Sequence, residues 1–136
     1  MSAFGPEAFA AACDVSRETL ARLELYAELL GRWNRAINLV GKRTLDDLWR
    51  RHFLDSAQLL PLLPPLDGRP RVLADLGSGA GFPGRVLAIL GAVLVHLVES
   101  DLKKATFLRE VARATGAPAS VHAARIESLD GLTADV

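Results

Sequence analysis

The sequence predicts an α/β protein in which a parallel sheet follows an amino-terminal helical region, and three observations lead to this fold class. An apolar run at residues 71–76 passes into a glycine-rich turn, as a strand leading into a helix does. A second apolar run at residues 92–98 and a short strand candidate at 118–122 are separated by a helical pattern. Strands that alternate with helices predict right-handed crossovers and a ligand site at the carboxyl ends of the strands.

Size and charge limit the classes of function. With 136 residues, half of them hydrophobic, the chain can form one globular domain with a sizeable core, or a domain with a small helical appendage. Sixteen basic residues balance sixteen acidic ones, so bulk charge cannot hold nucleic acid over the whole surface. We therefore expect any contact with nucleic acid to be a local patch.

Cysteine content and hydropathy point to a cytoplasmic protein. Cys13 is the only cysteine, which excludes a disulfide framework and a cysteine-rich metal site, and we expect no metal. The longest apolar run, 86–98, contains Gly91 and His96 and is too short to cross a bilayer as one helix. We expect no membrane contact and no secretory signal.

The amino-terminal part predicts three helices. Residues 7–13 suit a short helix, and Asp14 or Ser16 can cap the next one. Apolar residues at steps of three and four predict a long second helix that ends at Gly41; they are Leu20, Leu23, Tyr26, Leu30, Trp33 and Ile37. Thr44 and Asp47 resemble a capping box, and we expect a third helix from there until the prolines at 61, 64 and 65.

A turn-rich linker at residues 66–70 separates two predicted regions, a helical one at 1–66 and a sheet core at 67–136. In the core, Gly91 should end the helix after the glycine turn, and residues 92–98 should form a strand buried on both faces. A helix at 103–115 should end at Gly116, with inward-facing Ala105, Leu108, Val111 and Ala112. Residues 125–129 suit a helical turn and 133–136 the start of a fourth strand. The predicted sheet is therefore incomplete, truncated after three to four strands.

The glycine turn fits two classes of ligand. Gly79, Gly81 and Gly84 match the template of dinucleotide-binding turns, in which a helix start receives a pyrophosphate. The run Asp75-x-Gly77-x-Gly79-x-Gly81 instead resembles the first motif of S-adenosylmethionine-dependent methyltransferases. We favour the second class, because the dinucleotide template asks for no acid at position 75 and Pro83 would interrupt a pyrophosphate turn.

Two groups at the following strand ends support a nucleoside ligand. Glu99 ends the second strand, where its carboxylate could accept both hydroxyls of a ribose in either class of cofactor. After the third strand, an apolar side chain such as Ile126 could contact an adenine ring. Arg125 and Glu127 could equally form a surface ion pair.

Five ordered motifs closely resemble the bacterial RsmG family, also called glucose-inhibited division protein B, over residues 20–136. They are Trp33-Asn34-x-x-x-Asn38-Leu39, Arg51-His52-x-x-Asp55-Ser56, the run from Asp75 to Gly84, Glu99-Ser100-x-x-Lys103-Lys104-x-x-Phe107-Leu108-Arg109, and Arg125-Ile126-Glu127. The resemblance implies a Rossmann-like fold and S-adenosylmethionine-dependent methylation of guanine N7 in small-subunit (16S) ribosomal RNA.

The resemblance also implies roles for single residues. Gly77 and Phe82 would line the cofactor site, Ile126 and Glu127 would border the adenosine, and Glu99 would hold the ribose. With Asp75, Gly79 and Gly81 from the turn, these residues form the predicted cofactor set. Family members continue through further strands, and an arginine after the fourth belongs to their site, so we expect a fragment or a chain with lost function.

A basic segment supplies the predicted RNA contacts. Residues 32–51 contain six basic residues and two acids, and we assign phosphate binding to Lys42, Arg43, Arg50 and Arg51. A solvated helix face is the alternative. Asn38, His52 and Asp55 are the polar residues expected near the target base. No general base is assigned, because guanine N7 already carries a lone pair.

Two other functions remain open at the level of sequence. One is a nicotinamide-dependent (NAD) oxidoreductase, which the Gly79-x-Gly81-x-x-Gly84 spacing allows. The other is a non-catalytic fragment that binds RNA or protein through its helices. The leading prediction is a monomeric methyltransferase whose partner is small-subunit ribosomal RNA or a ribosomal particle.

Overall fold

A three-stranded parallel sheet forms the centre of the computed structural model, which describes residues 4–63, 68–69, 71–91 and 93–136. Its strands are β1 (Arg71–Leu76), β2 (Val93–Val98) and β3 (Ser120–His122), in the spatial order β1-β2-β3. Leu73 lies beside Val95, and Val98 lies beside His122. The α/β class and the parallel sheet are thus as predicted from the sequence.

Two helices open the chain: α1 (Pro6–Cys13) and α2 (Arg17–Asn34). The Ser16 hydroxyl caps α2 by accepting a hydrogen bond from the Thr19 N–H at 3.1 Å. Asp14 does not cap α2; it ends α1 in the left-handed region at φ 50°.

Helix α2 ends seven residues before Gly41, so the predicted end was wrong. The Asn34 side chain accepts hydrogen bonds from the N–H groups of Leu39 (2.8 Å) and Val40 (3.0 Å) and donates one to the Val40 carbonyl (3.2 Å). These bonds replace the helical pattern and turn the chain. Ile37 therefore lies outside the helix whose face it was expected to extend.

The region predicted as one third helix is divided into short helical pieces. These are α3 (Lys42–Asp46), the π-helical turn Trp49–Leu54, α4 (Asp55–Ala57) and a 3-10 turn at Leu60–Leu62. Helix α3 begins after Gly41, and Thr44 donates to the Gly41 carbonyl at 2.8 Å rather than capping a helix of its own. Asp47 leaves helical geometry at φ −122° and ψ 40°, which ends α3.

Pro64 and Pro65, most of the 66–70 linker and the 66/67 domain boundary lie outside the described residues, as does Ala92, the first residue of the predicted second strand. Beyond them the chain forms α5 (Gly84–Leu90) and α6 (Leu102–Thr115). Gly91 and Gly116 end these helices in the left-handed region, as predicted. Inside α6, Ala105, Leu108 and Val111 are fully buried, whereas Ala112 is half-buried.

Both crossover helices pack on the face of the sheet that carries Leu73, Val95 and Leu97. On the opposite face Leu76 and Leu94 are 54% and 55% exposed, so the prediction that β2 is buried on both faces was wrong. On that face His96 Nδ1 lies 3.0 Å from His122 Nε2 across β2 and β3. Within the described residues, the sheet has helices on one side.

The helical region and the sheet share one hydrophobic core. Tyr26 and Leu30 of α2 are fully buried in the same cluster as Leu87 of α5 and Leu108 of α6. The rings of Trp33 and Phe107 lie 5.6 Å apart between α2 and α6. This packing fixes α2 and the π-helical turn over the start of α5, next to the glycine turn.

The segment 133–136 lies along the free edge of β1, although it has no regular strand geometry. The Ala74 N–H donates to the Val136 carbonyl at 2.9 Å, and the Asp135 N–H donates to the Val72 carbonyl at 2.7 Å. The Asp135 carboxylate also accepts from the Val72 N–H at 2.8 Å and from the Arg69 guanidinium at 3.0 and 3.1 Å. The last residues thus pair with β1, as the predicted fourth strand would.

Candidate functional site

The glycine turn begins where β1 ends, and its first two glycines face open space. Gly77 and Gly79 have φ values of 74° and 55°, a region that favours residues without a Cβ. A Cβ built on either glycine would meet no protein atom within 4 Å. The N–H groups of Gly77 and Ser78 both donate to the Val98 carbonyl, at 2.9 and 3.0 Å, which anchors the turn to β2. A ligand could therefore approach the backbone here.

Gly81 serves packing instead. A Cβ at this position would lie 2.6 Å from the Tyr26 hydroxyl oxygen and 2.8 Å from Arg85 Cβ. The Tyr26 hydroxyl donates a hydrogen bond to the carbonyl of Ala80, and burial raises the pKa of this phenol, so it keeps its proton. The space at Gly81 is thus filled by the protein's own side chains.

Asp75 contacts the far side of the turn. Its Oδ2 accepts a hydrogen bond from the Gly84 N–H at 3.0 Å, and a Cβ on Gly84 would come within 2.7 Å of the same oxygen. Burial raises the pKa of the Asp75 carboxyl, the bond from Gly84 opposes this, and the charge of Glu99 raises it further. The contact joins the end of β1 to the start of α5, and direct contact of Asp75 with a cofactor stays a prediction.

Glu99 stands at the end of β2, 9% exposed, and connects two loops. Its Oε1 accepts from the Gly79 N–H at 2.8 Å, and its Oε2 accepts from the Asp101 N–H at 2.9 Å. A carboxylate offers about four acceptor positions, so roughly two remain after these bonds. Two neighbouring hydroxyl groups of a ligand could occupy them.

A cleft of about 170 Å³ opens beside Glu99 at the carboxyl ends of all three strands. It contains four of the predicted cofactor residues: Gly77, Glu99, Ile126 and Glu127. Its other residues are Val98, Ser100, Ala124 and Arg125. The volume is below the roughly 300–1,000 Å³ of pockets that enclose a whole small molecule, so the cleft suits one part of a ligand.

The loop after β3 is held against β2 by its backbone. The Glu99 N–H donates to the His122 carbonyl at 3.0 Å, and the Ala124 N–H donates to the Glu99 carbonyl at 3.2 Å. The 3-10 turn Ile126–Ser128 follows and leaves the Ile126 side chain 50% exposed. Arg125 and Glu127 form an exposed ion pair at 3.7 Å, the surface pair that the sequence allowed.

Phe82 lies outside this cleft, in an aromatic stack between the helical region and the turn. Its ring centroid is 4.4 Å from His52, nearly parallel at 11°, and 5.7 Å from Tyr26. Burial lowers the pKa of His52, although the charge of Asp55 raises it. Helical periodicity in the sequence indicated that Tyr26 is a core residue, but no pattern indicated its bond to the turn.

The four predicted RNA-binding cations are all exposed, on α3 (Lys42, Arg43) and on the π-helical turn (Arg50, Arg51). Arg51 pairs with Asp47 at 3.6 Å, and the Arg50 guanidinium lies 5.1 Å from the ring centre of Phe4. Asn38 and Asp55 are exposed and His52 is half-buried. Surface cations of this kind can contact phosphates without a change in the fold.

A larger cavity, of about 680 Å³, lies away from the strand ends. It is lined mainly by apolar residues where α1, α2 and α4 meet the end of α5, among them Val15, Leu54 and Leu90. Cys13 also lines it, and burial raises the pKa of this thiol. The cavity contains none of the predicted cofactor residues.

The described residues contain neither a metal-binding cluster nor a membrane-spanning helix. They contain no group of three or more histidine, cysteine, aspartate or glutamate side chains that could hold a metal ion. No helix in the part of the chain that the structure describes is both long and apolar enough to cross a membrane.

Comparison with known proteins gives one consistent result. Residues 19–135 match the family model GidB, described as rRNA small subunit methyltransferase G. The chain is 66% identical over 127 residues to a ribosomal RNA small subunit methyltransferase G of Rhodospirillum centenum and 62% identical over 131 residues to that of Rhodospirillum rubrum. A third relative, from Paramagnetospirillum magneticum, is 58% identical over 132 residues.

These three alignments cover 93%, 96% and 97% of this chain. They cover 57%, 64% and 63% of the relatives' own lengths. The chain thus spans about three fifths of the length of the curated relatives it matches.

Proposed function

Because the chain belongs to the GidB family, rRNA small subunit methyltransferase G, we propose that it supplies the cofactor site of an enzyme that methylates guanine N7 in small-subunit (16S) ribosomal RNA. The observation that carries this proposal is the cleft in which Gly77, Glu99, Ile126 and Glu127 meet at the carboxyl ends of three parallel strands. This is where open α/β sheets bind ligands.

The residues in the cleft fit the nucleoside part of S-adenosylmethionine. Glu99 keeps acceptor capacity for two ribose hydroxyls, and the exposed Ile126 offers an apolar surface for adenine. The open space over Gly77 and Gly79 leaves room for the remainder of the molecule. Asp75 would act by holding the turn to the start of α5.

S-adenosylmethionine would supply an electrophilic methyl group on a sulfonium. Guanine N7 would accept this methyl group through its lone pair, and S-adenosylhomocysteine would be the second product. No proton leaves N7, so this chain needs no general base, and we assign none. The work of the protein is alignment, which the fixed turn and the basic surface around Lys42, Arg43, Arg50 and Arg51 would provide.

The comparisons do not support the two other functions. All three relatives are named as methyltransferases, so neither a nicotinamide-dependent oxidoreductase nor a non-catalytic binding fragment has a counterpart among them. We also propose a helical region at 1–66 and a methyltransferase core at 67–136, in a cytoplasmic monomer. The partner would be the ribosomal RNA itself or the ribosomal particle.

Calorimetry and methyl transfer test the proposal together. S-adenosylhomocysteine should bind the protein, and NAD should not. Radiolabelled methyl groups should then pass from S-adenosylmethionine to naked 16S rRNA or to the assembled small subunit, with digestion identifying N7-methylguanine. Binding of NAD alone, or label on another atom, would contradict the proposal.

A further inference from the structure

The inference concerns one contact between the helical region and the glycine turn. The imidazole of His52 stacks on the ring of Phe82, with centroids 4.4 Å apart and planes 11° from parallel. Phe82 directly follows Gly81, and His52 belongs to the π-helical turn Trp49–Leu54. A displacement of the π-helical turn would therefore move Phe82 and, with it, the glycine turn.

A second link lies beside the first. The Tyr26 hydroxyl donates a hydrogen bond to the carbonyl of Ala80, and it lies so close to Gly81 that a Cβ there would be 2.6 Å from its oxygen. Residues 80–82 are thus held by side chains of the helical region, while Gly79 is held by Glu99 from the sheet. The glycine turn is therefore held by the helical region on one side and by the sheet on the other.

The π-helical turn presents different chemistry on its two sides. Arg50 and Arg51 are exposed, whereas the next two residues, His52 and Phe53, pack inward against Phe82. The buried Nε2 of His52 has no hydrogen-bond partner among the described residues, so no hydrogen bond at this atom fixes the ring. The stack on Phe82 is the ring contact that the structure shows for His52. Turns of the π type are rare and are frequent at functional sites.

We propose that His52 is a positioning residue that couples the two ligands of the enzyme. RNA bound to Arg50 and Arg51 would hold the π-helical turn, and through His52 and Phe82 the glycine turn, in the geometry that binds cofactor. By reciprocity, bound cofactor raises the affinity for RNA by the same factor. The inference rests on the proposed function. One aromatic stack sets the expected coupling at about 2- to 10-fold.

A thermodynamic cycle tests this coupling in the protein. The affinity for S-adenosylhomocysteine is measured with and without saturating naked 16S rRNA, and the affinity for the RNA with and without saturating S-adenosylhomocysteine. For each ligand, the coupling ratio is its affinity in the presence of the other ligand divided by its affinity in the absence of the other ligand. This ratio is determined for the parent, for His52→Ala, which removes the ring, and for His52→Phe, which keeps a planar ring. Changes in either affinity alone cancel in the ratio.

The expected result is a ratio of about 2 to 10 in the parent, a ratio near 1 in His52→Ala, and recovery in His52→Phe. A ratio of 1 in the parent, or an unchanged ratio in His52→Ala, overturns the inference while cofactor binding stands. Absence of S-adenosylhomocysteine binding in the parent overturns the proposed function and the inference with it. If His52→Ala does not fold, Phe82→Leu removes the same stack from the other side, and the same outcomes apply.

Discussion

The carboxylate of Glu99 accepts a hydrogen bond from the Gly79 N–H at 2.8 Å, which ties the glycine turn to the end of the neighbouring strand. The same carboxylate also holds the Asp101 N–H at the start of α6. Glu99 therefore organises the site before any ligand arrives, and the ribose contact that we propose would be added to this role.

Replacing Glu99 by Ala should weaken binding of S-adenosylhomocysteine by about 1–3 kcal/mol, the range for leaving hydrogen-bonding groups unpaired or losing hydrogen bonds to a charged group. Glu99→Gln should also weaken binding, because its amide has one oxygen for the two N–H groups now bound by the carboxylate. Isothermal calorimetry measures both, with Asp130→Ala, an exposed carboxylate, as the control. A change of only a few tenths of a kcal/mol in Glu99→Ala would leave Glu99 with no role toward the ligand.

Gly79 and Gly81 should respond differently to substitution, although the sequence motif treats them alike. Gly79→Val should abolish cofactor binding, because the new side chain enters the open space that we propose for the cofactor. The protein should still fold, because the side chain meets no protein atom and the backbone strain costs only about 1–2 kcal/mol. Gly81→Ala should lower the free energy of unfolding by about 2–5 kcal/mol, since backbone strain and overpacking against Tyr26 add. Urea unfolding and calorimetry on both variants separate the effects. Full affinity in folded Gly79→Val would exclude this turn from the cofactor site.

Sequence patterns predicted the helices and strands of the sheet region and the position of Glu99 and Ile126 at one edge of the sheet. Helix α6 follows the apolar spacing and stops at its glycine, and the parallel topology alone brings Glu99 and Ile126 to one edge of the sheet. The end of α2 could not be predicted, because the Asn34 side chain offers the backbone an alternative set of hydrogen bonds.

The contacts between the helical region and the glycine turn could not be predicted from the sequence either. Tyr26 and Ala80 are 54 residues apart, and only the packing of α2 across α5 and α6 brings them together. The same holds for His52 and Phe82, which meet because Asp47 ends α3 and a π-helical turn follows. Periodicity indicates which residues are buried, but it does not indicate which residues they contact.

Tyr26→Phe should lower the free energy of unfolding by about 1–3 kcal/mol, because it leaves the Ala80 carbonyl without its hydrogen-bond donor and keeps the ring contacts. Urea denaturation gives this value. Tyr26→Leu, which also removes the stacks with Phe53 and Phe82, should cost more. Equal stability of Tyr26→Phe and the parent would show that the bond to Ala80 contributes little.

Acid should destabilise the protein through two histidines. Burial lowers the pKa of His52 and of His96 in the folded state, and the neighbouring His122 lowers that of His96 further. As the pH falls through about 6.5, the unfolded chain takes up protons that the folded chain resists, so stability falls until the folded pKa values are reached. The carboxyl of Asp75 has a raised pKa in the folded state, so it favours folding as the pH falls. It is present in every variant and therefore does not affect the comparison between them.

Urea denaturation at pH 7.5, 6.5 and 5.5 checks this dependence. His52→Asn and His96→Asn should each show a smaller loss of stability between pH 7.5 and 5.5 than the parent, and the double variant the smallest. A parent whose stability is the same at the three pH values, or variants with the parent's full pH dependence, would contradict the assignment.

Replacing Lys42, Arg43, Arg50 and Arg51 together by Ser should weaken RNA binding and flatten its salt dependence. Each phosphate contact releases counterions, so the loss of four contacts should reduce the slope of log affinity against log salt by about 3. The matched control removes four exposed arginines from other helices, at positions 17, 22, 109 and 113, and should keep the parent's slope. Filter binding to 16S rRNA at several salt concentrations, with saturating S-adenosylhomocysteine, gives the slopes. If the slope of log affinity against log salt falls equally in both quadruple variants, RNA binding depends only on net charge, and the basic segment has no specific part in it.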